Sequence, residues 1–296
     1  MATMLDVRGV TQSFPGPGRA AAVDVLAGVD LAVRAGEFAA LIGPSGSGKS
    51  TLFNVIAGLD RPTGGQVLID GRPAIGHNDL VAYMPQKDLL FPWRTVEANA
   101  ALGLEIQCVG RKQARERVAG LLVQFGLGGF ARAYPAQLSG GMRQRAALLR
   151  TVAMDRPVLL LDEPFGALDS LTRTQMQLWL AGMCERFGWT VLLVTHDIRE
   201  AVFLADTVHV LSARPASVTA RIEVPFARPR TAETFLLAEF GRLEQTVLKA
   251  LGFGSAGSFG TGTGAADEVG EGGGTGTAPG QDDLDASGPD PMGAVR

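Results

Sequence analysis

Continuous apolar runs and segments of helical periodicity alternate along most of the chain. The apolar runs and strand-like patterns, which predict strands of the main sheet, occupy residues 38–42, 80–84, 158–161, 191–195, 207–211 and 218–224. Apolar positions at helical spacing, which predict amphipathic helices, extend over residues 52–57, 95–106, 112–125, 139–154, 171–187 and 232–251. Strands that alternate with helices predict an α/β fold with a mainly parallel sheet that is covered on both faces.

Two parts of the chain depart from this alternation. Near the N-terminus, strand patterns at residues 5–10 and 29–33 predict an antiparallel edge sheet, and residues 64–71 separately show a hairpin pattern. Before residue 155, three helical segments follow one another with no strand between them. We therefore expect one folded domain over residues 4–251, with an inserted α-helical subdomain at about residues 87–155.

The composition, with 46% hydrophobic and 19% charged residues, is typical of a globular protein in water. No apolar run reaches the roughly 18 residues that cross a bilayer, and the N-terminus lacks a basic segment followed by an apolar one. We expect neither a membrane-spanning helix nor a secretory signal. Cys108 and Cys184 stand far apart without metal-ligand spacing, which indicates reduced thiols.

Charge and glycine content set the C-terminal segment apart. The net charge of the chain is −3, and residues 252–296 hold seven acidic residues and one basic residue, which leaves +3 on residues 1–251. Neither value predicts a nucleic-acid-binding surface. Glycine accounts for 14 of the 45 residues of this segment, and large apolar side chains are almost absent. We expect a disordered tail, because such a segment cannot bury enough apolar surface to offset the entropy of ordering.

A glycine-rich turn lies between the predicted strand at residues 38–42 and the helix at residues 52–57. The turn and the start of the helix consist of Gly43, Pro44, Ser45, Gly46, Ser47, Gly48, Lys49, Ser50 and Thr51. A strand, such a turn and a helix are the context of a phosphate-binding loop, in which backbone N–H groups and the helix N-terminus surround an anion. Lys49 can then reach the outer phosphates, and the Ser50 hydroxyl can bind the Mg²⁺ that bridges them. The sequence predicts a nucleoside triphosphate site; the alternative is a glycine turn with a surface lysine.

The predicted strand at residues 158–161 ends in two carboxylates, Asp162 and Glu163. At the carboxyl end of a buried parallel strand, Asp162 can hold Mg²⁺ through a water molecule. Glu163, which follows it, can polarise an attacking water as a general base. Such a strand end is a weak signal alone, but together with a phosphate loop it becomes a strong one.

A second predicted helix terminus suited to an anion begins at Ser139. Ser139 has the side chain of an N-cap, and Gly140 and Gly141 leave the first backbone N–H groups of the helix uncovered. Because it is far from the glycine-rich turn in sequence, this terminus need not bind the same phosphates. A capped helix with a flexible start is the alternative.

The order and spacing of these motifs over about residues 4–250 resemble those of the ATP-binding subunit of an ABC transporter. In chain order the matches are Phe14 (the A-loop aromatic), residues 43–51 (Walker A), Gln86 (Q-loop), residues 138–144 (signature motif), residues 158–163 (Walker B), residues 167–169 (D-loop) and His196 (switch histidine). Met142 stands where glutamine is commonest in the signature motif of the family.

The resemblance implies a head-to-tail dimer in which each ATP lies between residues 43–51 of one copy and Ser139, Gly140 and Gly141 of the other. Asp169 of the D-loop belongs to the same expected nucleotide site. Phe14 is expected to stack on adenine, with a position in a satellite core as the alternative.

The resemblance also implies which residues act in hydrolysis. Glu163, His196 and Gln86 are the expected catalytic residues, and Ser50, Gln86 and Asp162 are the expected Mg²⁺ ligands. Without the resemblance, His196 would be interpreted as a core histidine. His77 and His209 keep that interpretation.

The apolar run at residues 89–93 contains two bulky aromatic side chains, Phe91 and Trp93, and follows Gln86 closely. Packing in the core is one interpretation of this run. We hypothesise instead that several of its side chains line a groove that receives a short cytoplasmic helix of a membrane permease.

Residues 83–96 are similar to the nitrate, sulfonate and taurine branch of ABC importers, which includes thiamine-precursor importers. This similarity implies a peripheral subunit on the cytoplasmic face of the membrane that works with a separate permease and, indirectly, a solute-binding protein. An exporter subunit, a soluble ABC ATPase acting on DNA or chromatin, and a ribosome-associated ABC protein are the alternatives. Residues 87–137 are too few for a long coiled-coil insertion, and we expect neither tandem nucleotide domains nor a nucleic-acid partner.

Overall fold

The structure is a computed structural model, and the description covers residues 2–16, 18, 21–77 and 79–253. These residues belong to one compact unit. The predicted disordered tail lies, from residue 254 onward, outside the described residues.

Six strands form the main sheet. They are β3 (Phe38–Ile42), β6 (Val81–Met84), β7 (Val158–Asp162), β8 (Thr190–Thr195), β9 (Thr207–Leu211) and β10 (Val218–Glu223). The spatial order is β10-β9-β3-β8-β7-β6, and every neighbouring pair is parallel except β9 and β10. All residues of β3, β7, β8 and β9 are buried, which explains why these strands are predominantly apolar in the sequence.

The two faces of the main sheet contribute to two separate cores. In β3, Phe38, Ala40 and Ile42 pack into a core shared with most of the helices. Ala39 and Leu41, on the opposite face, pack into a core shared with the antiparallel strands and the helix that follows β3. The sheet is therefore covered on both sides, as the sequence predicts.

The antiparallel sheet has the order β2-β1-β4-β5. Its strands are β1 (Thr3–Phe14), β2 (Val23–Arg34), β4 (Gly64–Ile69) and β5 (Arg72–Pro73). The predictions at residues 5–10 and 29–33 were too short, since β1 and β2 each contain 12 residues. Register shifts between the two strands interrupt the alternation of inward and outward side chains, and the sequence pattern therefore fades before the strands end.

Four helices lie in the region that the sequence predicts as a helical subdomain. They are α2 (Val96–Ala100), α3 (Leu102–Ile106), α4 (Arg111–Gln124) and α5 (Gly140–Val152). The single helix predicted over residues 95–106 is divided at Ala101, although the Ala101 N–H still donates to the Glu97 carbonyl over 2.9 Å. Thr95 caps α2, where its side chain accepts a hydrogen bond from the Ala98 N–H.

The other helices are α1 (Lys49–Ile56), α6 (Ser170–Phe187), α7 (Ile198–Leu204) and α8 (Ala238–Ala250). The sequence pattern did not predict α7, which has only seven residues. The helix predicted over residues 232–251 begins instead as a 3₁₀ turn, and Leu237, whose backbone is extended, separates this turn from α8. Within the described ranges, no helix has the length and apolar character that a bilayer crossing requires.

Candidate active site

The turn between β3 and α1 has a backbone that favours glycine. Gly46 and Gly48 have φ angles of +74° and +104°. A β-carbon on Gly48 would lie 2.9 Å from Cγ1 of Val25 in β2, so a side chain there would collide with the antiparallel sheet. The glycine-rich turn therefore has the close-fitting geometry that the sequence predicts, and α1 begins immediately after it at Lys49.

The ammonium group of Lys49 lies within this turn. Its Nζ donates hydrogen bonds of 2.9 Å to the carbonyl oxygens of Gly43 and Pro44. Burial lowers the pKa of Lys49, and the carboxylates of Glu163 and Asp162 oppose that shift. A desolvated cation beside open backbone N–H groups is suited to an anion.

The turn and the start of α1 border a cavity of about 260 Å³. The described residues that line it are Ser45, Gly46, Gly48, Lys49, Ser50, Thr51, Glu163 and Arg214. The structure thus brings the carboxylate-ending strand β7 to the phosphate loop. Arg214, which follows β9, was not predicted to belong to this site.

Asp162, at the end of β7, is held by a tyrosine that sequence reasoning missed. The Tyr83 hydroxyl in β6 donates a hydrogen bond of 3.2 Å to Oδ2 of Asp162. Burial raises the pKa of Asp162, whereas the hydrogen bond from Tyr83 and the charge of Lys49 lower it. Burial, with the nearby charge of Asp162, raises the pKa of Tyr83. A hydroxyl within the otherwise apolar strand β6 is the sequence signal that could have indicated this contact.

Glu163 is contacted by both of the other predicted catalytic residues. Nε2 of Gln86 donates a hydrogen bond of 2.9 Å to Oε2 of Glu163. Nδ1 of His196 lies 3.1 Å from the other carboxylate oxygen, Oε1. The three residues come from the ends of β6, β7 and β8, which are adjacent parallel strands, so the topology of the sheet brings them together.

The backbone of Glu163 is strained but tightly fixed. Its φ angle of 45° lies in the left-handed region, which side-chain-bearing residues seldom adopt. The Glu163 N–H donates to the Val194 carbonyl over 2.9 Å, and its own carbonyl accepts from the Gly166 N–H over 3.1 Å. The strain is consistent with a functional position, because surrounding hydrogen bonds maintain a conformation that is unfavourable alone.

The predicted signature and D-loop residues lie together, at the starts of α5 and α6. The Ser139 hydroxyl accepts a hydrogen bond of 3.3 Å from the Met142 N–H, which confirms the predicted N-cap. Asp169 caps α6 in the same way through the Thr172 N–H, and this hydrogen bond lowers the pKa of Asp169. A β-carbon on Gly141 would lie 3.0 Å from Cγ2 of Thr172, so the two helix starts pack closely.

None of Ser139, Gly140, Gly141 and Asp169 is among the described residues that line the phosphate-loop cavity of the same chain. The two anion-binding elements predicted from the sequence therefore do not share one cavity within a single copy.

The structure also shows the surroundings of the predicted A-loop aromatic and of two further histidines. Phe14, at the end of β1, has 40% of its surface exposed, so it is not a satellite core residue. The interpretation of His77 as a core histidine was wrong: it lies at the surface, where Nδ1 is 3.1 Å from a guanidinium nitrogen of Arg72. His209 is buried as predicted, but neither of its ring nitrogens has a hydrogen-bond partner among the described residues.

Comparisons with known proteins match the motifs to one family. A family model described as "ABC transporter" matches residues 26–166. The nitrate import ATP-binding protein NrtD of Synechocystis is 42% identical over 207 residues, which cover 70% of this chain and 78% of NrtD. The chain belongs to the ABC transporter family.

Two further relatives are also named as import ATP-binding proteins. The taurine import ATP-binding protein TauB of Pseudomonas entomophila is 41% identical over 76% of this chain and 85% of TauB. The aliphatic sulfonates import ATP-binding protein SsuB of Ralstonia nicotianae is 44% identical over 76% of this chain and 75% of SsuB. The resemblance to the nitrate, sulfonate and taurine branch is thereby confirmed.

A solved ABC cassette also has this fold. The dimeric structure of MJ0796, a bacterial ABC transporter cassette, superimposes with a TM-score of 0.66 at 32% identity and covers 76% of this chain and 100% of MJ0796. A second dimeric structure of that cassette, in a post-hydrolysis state, is bound to ADP and Pi. The predicted α/β ABC ATPase fold is confirmed.

Proposed function

We propose that this chain binds and hydrolyses ATP as the energy-providing subunit of an ABC importer. The observation that carries the proposal is the position of Glu163. Its carboxylate lines the phosphate-loop cavity and is held by Gln86 on one oxygen and by His196 near the other. A carboxylate with fixed orientation beside a triphosphate site is suited to activate water.

In the proposed reaction, Glu163 accepts a proton from the water that attacks the γ-phosphorus, while the bond from that phosphorus to the bridging oxygen breaks and ADP leaves. Gln86 and His196 hold the Glu163 carboxylate in orientation, and His196 also donates a hydrogen bond to the γ-phosphate. When ATP binds, Lys49 gives up its hydrogen bonds to the Gly43 and Pro44 carbonyls and donates to the outer phosphates instead. This exchange is favourable because a charge-assisted bond to phosphate is stronger than a bond to a neutral carbonyl.

The residues around Asp162 fit a magnesium ion. Ser50 lines the cavity, Asp162 has its orientation fixed by Tyr83, and Gln86 offers an amide oxygen. Hydroxyl, carboxylate and amide oxygens are the ligands that Mg²⁺ prefers. When bound, the ion would neutralise part of the charge of the β- and γ-phosphates.

The proposed active unit is a head-to-tail dimer. The start of α5, with Ser139, Gly140 and Gly141, offers uncovered N–H groups but does not line the cavity of its own chain. In the dimer it would face the γ-phosphate bound by the other copy, with Asp169 nearby. The related MJ0796 cassette is dimeric in its solved structures.

The segment of residues 89–93 is proposed to bind a permease. Leu89 and Trp93 are 57% and 71% exposed, and the rings of Phe91 and Trp93 stack with centroids 5.1 Å apart. Leu90, by contrast, is buried, so it anchors the segment in the core. An exposed tryptophan and leucine on an anchored segment are suited to a short apolar helix of a membrane protein.

A buried asparagine and a half-buried arginine keep this segment in place. Asn99, with no exposed surface, accepts a hydrogen bond from the Phe91 N–H and donates to the carbonyls of Phe91, Arg94 and Thr95. Arg150 donates to the carbonyls of Asp88 and Leu89, each over 2.6 Å. Because α5 carries both Arg150 and the signature residues, the permease segment and the nucleotide interface are mechanically connected.

The proposed cargo is a small solute of the nitrate, sulfonate or taurine type, or a thiamine precursor, and a solute-binding protein is the indirect partner. The names of the relatives support this class. We propose the cytoplasmic face of the membrane as the site of action. We also propose residues 4–251 as the nucleotide-binding domain, with residues 87–155 as its helical subdomain.

Substitution of the proposed base tests the enzymatic part. Glu163→Gln is expected to reduce phosphate release at least a hundred-fold and to elute as a dimer in gel filtration with Mg²⁺ and ATP. Glu223→Gln, an exposed change in β10, is the matched control. Phosphate release by Glu163→Gln at the parental rate would show that another group is the base.

Membrane recruitment tests the transport part. The chain is incubated with native membrane vesicles, with DNA and ribosomes present as competitors. Recovery with a multi-span membrane protein supports the importer, whereas recovery with nucleic acid or ribosomes contradicts it.

A further inference from the structure

The turn at residues 212–217, between β9 and β10, lies directly beside the phosphate loop. Leu211, the last residue of β9, is so close to the loop that a β-carbon on Gly43 would lie 3.0 Å from the Leu211 β-carbon. Backbone hydrogen bonds then join the turn to β2. The Ala216 N–H donates to the Val25 carbonyl over 2.9 Å, and the Ala216 carbonyl accepts from the Ala27 N–H over 2.8 Å. Since Val25 also contacts Gly48, the turn and the phosphate loop share one wall.

Hydrogen bonds within the turn fix its shape. The Ser212 N–H donates to the Ser217 carbonyl over 2.9 Å, and the Ser217 N–H donates to the Ser212 hydroxyl over 3.0 Å. The Ser212 hydroxyl in turn donates to the Ala213 carbonyl. Arg214 is therefore carried by a closed turn that is tied to the sheet.

Arg214 lines the phosphate-loop cavity, where Arg214 and Lys49 are the two basic residues among the described lining residues. Lys49 is buried and bonded to two carbonyls. Arg214 is exposed, and its guanidinium makes no hydrogen bond or ion pair within the described part of the chain. A second cation is thus positioned at the cavity without a partner among the residues that the structure describes.

We propose that Arg214 is a further nucleotide-binding residue that contacts the phosphate chain of ATP through its guanidinium. The planar guanidinium matches two phosphate oxygens at once, and a charge-assisted pair is stronger than a neutral hydrogen bond. The lining residues other than Arg214 all come from the Gly-Lys-Ser loop, the start of α1 and Glu163, so the contact is at the phosphates rather than at the base. The inference rests on the proposed ATP site and extends it to the β9–β10 turn.

The test compares ligands that contain phosphate, base or both. Dissociation constants of the full chain for ATP, inorganic tripolyphosphate and adenosine are measured by calorimetry. Arg214→Ala is expected to raise the constants for ATP and tripolyphosphate about ten-fold and to leave that for adenosine unchanged. Arg214→Lys should recover part of the affinity. Arg242→Ala, which removes an exposed arginine from α8, should bind like the parental chain.

Two results would overturn the inference. One is unchanged binding of ATP and tripolyphosphate by Arg214→Ala. The other is weaker binding of ATP with unchanged binding of tripolyphosphate, which would place the contact on the adenosine half. If the parental chain itself fails to bind ATP, the proposed function fails as well, so the two failures are distinguishable. Should Arg214→Ala fold poorly, Arg214→Gln provides the same comparison.

Discussion

The Tyr83 hydroxyl donates a hydrogen bond of 3.2 Å to Oδ2 of Asp162, and so links the edge strand β6 to the end of β7. This bond fixes the direction of a carboxylate that we propose as a magnesium ligand. It also opposes burial, which raises the pKa of Asp162. Partners of this kind, which orient a metal ligand, affect metal affinity strongly.

Tyr83→Phe is therefore expected to raise the Mg²⁺ concentration for half-maximal ATP hydrolysis about ten-fold. Loss of the hydrogen bond also raises the pKa of Asp162, so the defect should grow as the pH falls, because protons compete with the metal for the carboxylate. Phe retains the edge-to-face contact with Phe53. The measurement is ATPase rate against Mg²⁺ at two pH values, with Tyr134→Phe, an exposed tyrosine, as the control. Equal Mg²⁺ dependence in both variants would contradict the role of Tyr83.

Mixing two inactive variants tests the head-to-tail dimer. Lys49→Ala removes the phosphate-loop cation, and Ser139→Glu places a negative charge at the start of α5. Each variant alone is expected to be inactive because both of its ATP sites carry the defect. An equal mixture forms heterodimers in which one of the two sites is intact, so roughly a quarter of the parental rate should return. A mixture as inactive as its components would exclude a site shared between two copies.

The permease segment can be tested without altering the nucleotide site. Trp93→Ala is expected to reduce recovery of the chain with permease-containing vesicles several-fold, because exposed aromatic residues dominate the binding energy of many interfaces. Its unfolding temperature should stay within about 2 °C of the parental value, since an exposed side chain contributes little to the core. Ile106→Ala, at a 75% exposed position of the helical subdomain, is the control. A large fall in unfolding temperature would show instead that Trp93 is a core residue.

The buried side chain of His209 is expected to make the free energy of unfolding depend on pH. It is buried in β9, and burial, with the nearby charge of Arg221, lowers its pKa to about 4. Between about pH 6.5 and 4 the unfolded chain therefore binds a proton at His209 that the folded chain does not. This contribution to stability is complete above about pH 6.5 and is lost as the pH falls towards 4, with a total of roughly 3 kcal/mol.

Replacement of this histidine should remove that dependence. His209→Leu is expected to flatten the curve of unfolding free energy against pH between 6.5 and 4, as measured by urea denaturation. His77→Gln, at the surface, should leave the slope unchanged. An unchanged slope in His209→Leu would show that other groups produce the acid sensitivity.

Features determined by neighbours in sequence could be predicted well. The glycine-rich turn, the Ser139 cap and the buried strands β3, β7, β8 and β9 follow from local backbone and burial requirements. Element ends were predicted less well. Register shifts concealed half of β1 and β2, and the short helix α7, which is capped by Asp197, has too few residues to show a period.

The sequence by itself determined the family, the phosphate loop and the three residues expected around the attacking water, because each motif is a short run whose local geometry depends on its own residues. Only the tertiary structure decided which distant side chains complete the site. Tyr83 meets Asp162 across 79 positions of sequence, and Arg214 reaches the cavity through a turn that is bonded to β2. These contacts depend on strand order and on the packing of two sheets, which bring together residues that no periodicity in the sequence connects.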